Sequence, residues 1–80
     1  MGTEEDAARF LARWEGIARY RDFYLRGSGR TEALIDTAAT EPIAVLRAAA
    51  RRKGATSVGR TRAEAIQALL DLTPRWRWDE

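Results

Sequence analysis

Between Arg47 and Arg62 the chain carries six cations, Arg47, Arg51, Arg52, Lys53, Arg60 and Arg62, and no acid. Side chains of this kind at this density suit one sort of chemistry: guanidinium groups donate paired, charge-assisted hydrogen bonds to phosphate or carboxylate oxygens. Arg51, Arg52 and Lys53 fall in the last turn of a predicted helix, where positive charge balances the dipole and needs no ligand. Arg60 and Arg62 open the next helix, where positive charge is unfavourable and the first backbone N–H groups lack intrahelical acceptors. An unfavourable charge beside free donors describes an anion site. Two readings follow: a solvated face that balances helix dipoles, or a surface of Arg47, Arg51, Arg52, Lys53, Arg60, Thr61 and Arg62 that meets DNA phosphates or an acidic protein.

Other chemistries lack their residues. There is no cysteine and no histidine, so thiolates, the commonest metal ligand and the usual general base near neutral pH are missing. The acids scatter over predicted outer faces, and the only lysine, Lys53, stands among arginines. "RGSGR", Arg26–Arg30, is too short for a phosphate-binding loop and follows no strand. The expectation is a non-enzyme with no catalytic residue, no metal and no cofactor. The net charge is only +2, and thirteen of the fourteen basic residues are arginine, an excess that genome composition explains as well as function does.

The elements that must position these residues read as helices. Alanine, leucine, glutamate and arginine dominate, and β-branched runs are absent. Fifteen of the hydrophobic residues are alanine, so seven aromatic rings must supply much of the core, and a domain of 80 residues has little area to bury. One domain, 1–80, is predicted. A long helix over 4–25 follows Thr3 as N-cap, with Phe10, Leu11, Trp14, Ile17, Ala18, Tyr24 and Leu25 within one arc of roughly 140°. Arg21 falls inside that arc, while Tyr20 and Phe23 fall near the opposite side. Either the helix bends or ends between Gly16 and Tyr20, or Arg21 reaches a buried carboxylate and the two rings face a partner.

A short helix over 31–39 follows, capped by Thr31, with Leu34, Ile35 and Ala38 for the core. Thr40 is placed to cap a third helix, in which Pro42 is tolerated and Ile43, Leu46, Ala49 and Ala50 face inward. Gly54 is its expected left-handed C′ residue. Thr61 and Glu64 form a capping box ahead of Ala65, Ile66, Leu69, Leu70 and Leu72, with Glu64, Gln67 and Asp71 outward and Thr73 and Pro74 as the stop. The tail over 73–80 carries Trp76 and Trp78 alternating with Arg75 and Arg77, ahead of Asp79 and Glu80. It fits docking on the core, a contact with a partner or second copy, or stacking on nucleobases.

Glu41 to Leu72 resembles the SAP or HeH motif, a helix–extended loop–helix module of DNA-binding and chromatin-associated proteins. Gly54 and Gly59 match its two glycines, and Arg62, Glu64, Ile66, Leu69 and Leu70 match its second helix. Ala55 and Ala65 stand where that family prefers leucine, and one extra residue precedes Arg62. The resemblance implies contacts from Arg51, Arg52, Lys53, Arg60 and Arg62 to DNA phosphates, without base reading. The expectation is an all-α bundle of about four helices, a small cytoplasmic DNA-binding protein gripping the backbone, with no membrane span. Its alternative is a protein-interaction module that uses Tyr20, Phe23, Trp76 and Trp78, with self-association open to a chain of so small a core.

Overall fold

The structure, a computed structural model, describes residues 2–75. Its elements are α1 (Thr3–Tyr24), α2 (Arg30–Ala39), α3 (Ile43–Arg52) and α4 (Arg62–Asp71), so the all-α class expected from the sequence is the class observed. Helix α1 packs on α2 and α3, α3 packs on α4, and α4 closes against α2. No helix among the described residues is long and apolar enough to cross a membrane. Trp76 and Trp78 lie outside the described residues.

Helix α1 starts at Thr3 with Gly2 at the cap position, so Thr3 is a helical residue and makes no cap bond. Glu4, Glu5 and Asp6 fill the first turn, where carboxylates meet the positive end of the dipole. The helix runs unbroken to Tyr24, so it does not end between Gly16 and Tyr20. Its buried residues are Ala7, Phe10, Trp14, Ala18 and Asp22. Steps of four residues advance about 40° beyond a full turn. The buried stripe therefore drifts around the helix, which carries Asp22 inward and turns Tyr24 and Leu25 out of the predicted core face to 70% and 39% exposure.

Asp22 is the carboxylate the sequence reading sought, but its cation is Arg30 and not Arg21. Arg30 Nε stands 2.9 Å from Asp22 Oδ1 with both side chains nearly inaccessible. Arg30 Nη2 also donates to the carbonyls of Thr73 at 2.8 Å and Pro74 at 3.2 Å. Trp14 Nε1 donates to Thr73 Oγ1 at 2.9 Å, and that hydroxyl donates to the Leu69 carbonyl at 2.6 Å. One polar chain thus ties α1, α2 and the end of α4. Arg21 instead donates to the Ser28 carbonyl at 3.4 Å.

Phe10, Trp14, Leu34, Leu46 and Leu69 fill the centre, with Phe10 and Trp14 rings 5.6 Å apart. Buried alanines from every helix pack between them, and such small side chains let helix axes approach. Three predicted details differ. Gly29, in the left-handed conformation, precedes α2 in place of a Thr31 cap, and Ile35 is 40% exposed. Thr40 ends α2, while Pro42 takes the N-cap position of α3.

Candidate functional site

Helix α3 ends as its sequence predicts. Gly54 adopts φ +109°, its N–H bonds the Arg51 carbonyl at 3.0 Å, and the Ala55 N–H bonds the Ala50 carbonyl at 3.0 Å. That pair of bonds is the Schellman closure. The chain then leaves the helix without secondary structure, and Val58, only 4% exposed, anchors it in the core. Gly59 follows with φ +71°, and a Cβ there would lie 2.5 Å from the Glu64 Cβ, so no other residue type fits. The return path places Arg60 beside α3.

Helix α4 begins with the predicted capping box. Thr61 Oγ1 accepts from the Glu64 N–H at 3.1 Å. Glu64 Oε1 accepts from the Arg60 N–H at 3.0 Å, the Thr61 N–H at 3.1 Å and the Thr61 hydroxyl at 3.0 Å. The Arg60 and Thr61 backbone bonds, then the Thr61 hydroxyl, hold the Glu64 carboxyl below its ordinary value. An internal carboxylate therefore occupies backbone donors that the sequence left open to an external anion.

The seven residues of the predicted surface divide by what surrounds them. Arg52 pairs with Glu4 at 3.3 Å, and Lys53, the C-cap of α3, pairs with Glu15 of α1. Arg62 Nη1 donates to the carbonyls of Glu41 and Ala38, supplying a cation to the end of α2, which has none of its own. Thr61 belongs to the cap.

Arg47, Arg51 and Arg60 converge instead. With Thr56, Ser57, Val58 and Gly59 they line a basin of about 310 Å³ that contains no carboxylate among its lining residues. Among the described residues none of their three guanidinium groups pairs with a carboxylate or a carbonyl, although the Arg60 backbone N–H is taken by Glu64. The Arg47 Nε is shut off from solvent and lacks an acceptor. A buried donor without a partner costs on the order of 1–3 kcal/mol.

Thr56 and Ser57, two hydroxyl-bearing residues that were not among the predicted site residues, also line the basin. Elsewhere, Tyr20 and Phe23 are each 53% exposed as predicted and cluster with Tyr24, which the periodicity had assigned to the core. Among the described residues no group of three His, Cys, Asp or Glu side chains is placed to hold a metal. No family model, curated protein or solved structure matches the chain.

Proposed function

We propose that this protein binds DNA through backbone phosphates, with the basin of Arg47, Arg51 and Arg60 as the gripping surface. One observation carries the reading: these three arginines line one concavity without an acid among its lining residues, while their neighbours in sequence are engaged. Guanidinium forks match phosphate oxygens, and the hydroxyls of Thr56 and Ser57 add neutral donors. The order α3, non-helical segment, α4 supports the reading, because the SAP or HeH family that 41–72 resembles binds DNA through such an arrangement.

Contacts confined to phosphates position a protein without reading bases. Each neutralised phosphate contributes about −0.9 to the slope of log affinity against log salt, so three arginines account for about −2.7. Fluorescence anisotropy of labelled duplexes of unrelated sequence tests this. Similar affinities that fall together as salt rises are expected. Binding that ignores salt, or no binding at about 50 mM salt, rejects the proposal.

A further inference from the structure

Gly16 is the only glycine inside a helix of the described residues. Glycine is among the costliest residues at a helix interior, and it is commonly explained by a neighbour that would clash with a side chain. Among the described residues there is no such neighbour, because a Cβ at Gly16 would meet none of their atoms within 4 Å. The open space belongs to a concavity of about 380 Å³ lined by Gly16, Arg19, Tyr20, Phe23 and Tyr24. Gly16, Tyr20 and Tyr24 follow one another at i, i+4 spacing, and helical side chains lean toward the N-terminus, so Tyr20 overhangs the vacant position. The Tyr20 and Tyr24 rings lie 5.3 Å apart, and Phe23 meets Tyr24 edge-on at 5.0 Å.

We propose that this notch seats an unpaired nucleobase, making the ring-bearing end of α1 a contact for single-stranded nucleic acid separate from the basic basin. An exposed tyrosine face suits stacking of any base, and Arg19 stands at the rim to meet the strand's phosphate. No acid is among the described residues that line the notch, and the one acid between Tyr20 and Tyr24, Asp22, is turned inward against Arg30. That charge pattern complements a phosphate chain. Duplex bases are already stacked on one another, so the notch selects unpaired strands.

The test compares a labelled thymidine oligomer with an abasic oligomer of equal length, which keeps the phosphates and removes the bases. The unmodified protein is expected to prefer the thymidine strand by about 5- to 150-fold, the range for stacking one base on an aromatic ring. Gly16→Leu, which fills the notch but leaves every ring, and Tyr20→Ala, which removes one wall, should both abolish that preference. Gly16→Ala should raise the melting temperature by about 2–8 °C, which shows the glycine is not kept for stability. Equal binding of the two strands by the unmodified protein overturns the proposal. So does a preference that survives Gly16→Leu, or a series that changes only association with a protein. A duplex measured alongside separates the two surfaces: its loss with the thymidine preference intact rejects the basin alone, and the converse rejects the notch alone.

Discussion

Arg30 and Arg60 are the same side chain in opposite circumstances. Arg30 is sealed between α1 and the end of α4, bound to Asp22 and to two carbonyls. Arg60 stands exposed at the edge of a basin with two other arginines and no acid among the lining residues. In a chain where thirteen arginines supply nearly all the positive charge, abundance marks nothing. What distinguishes a structural arginine from a binding one is whether the fold has already supplied its acceptors.

The largest effect comes from opening the buried pair. Asp22→Ala leaves Arg30 as an uncompensated buried charge and should cost about 3–5 kcal/mol. A domain of this size is stable by roughly 4–12 kcal/mol, so that loss takes much of its margin. The urea midpoint reads it, and a midpoint equal to that of the unmodified protein would show that the pair is solvated. The exposed side of the comparison predicts the reverse. Arg60→Ala should move the midpoint by no more than about 0.5 kcal/mol, as for surface positions away from structural features, while weakening duplex binding.

The cap between the two regions comes next. Thr61→Ala removes the hydroxyl that accepts from Glu64 N–H and should cost about 0.5–2 kcal/mol of stability by thermal or urea unfolding. The smallest effect is one of pH. Glu64 has its folded-state value lowered, so the stability it contributes is present above the ordinary carboxylate value of 4.5. That contribution drains away as pH falls below 4.5 through the folded value. Glu64→Gln can keep the box but cannot titrate, so its stability should change less over that interval. Parallel curves for the two proteins would show that the carboxylate is not held by the backbone of Arg60 and Thr61.

The local signals of the sequence carried into the fold where a few adjacent residues suffice. Thr61 with Glu64 marks the start of α4, Gly54 the end of α3 and Pro42 the gap before it, each through backbone bonds made within one turn. The sorting of the arginines was not readable, because their acceptors come from distant parts of the chain. Lys53 meets a carboxylate 38 residues away, and Arg52 one 48 residues away. The Asp22–Arg30 pair was hidden for another reason. A fixed arc of apolar residues ignores the drift of a four-residue stripe, and that drift alone brings Asp22 inside and puts Tyr24 outside. The cation surface was thus located by sequence, and its division into spent and available charges required the packing of α1 and α2 against α3 and α4.

The central claim is that binding resides in arginines the fold leaves without acceptors, and two double variants of equal charge test it most directly. Arg51→Ala with Arg60→Ala removes two of the basin's three arginines, whereas Lys53→Ala with Arg62→Ala removes two engaged cations from the same stretch. Each pair lowers the net charge by two, so any difference between them reports position and not charge. Duplex affinity measured across a salt series should lose about 1.8 units of slope in the first variant, at about 0.9 per contact, and keep its slope in the second. Equal losses in both would contradict the account, because binding would then follow total charge and not the basin.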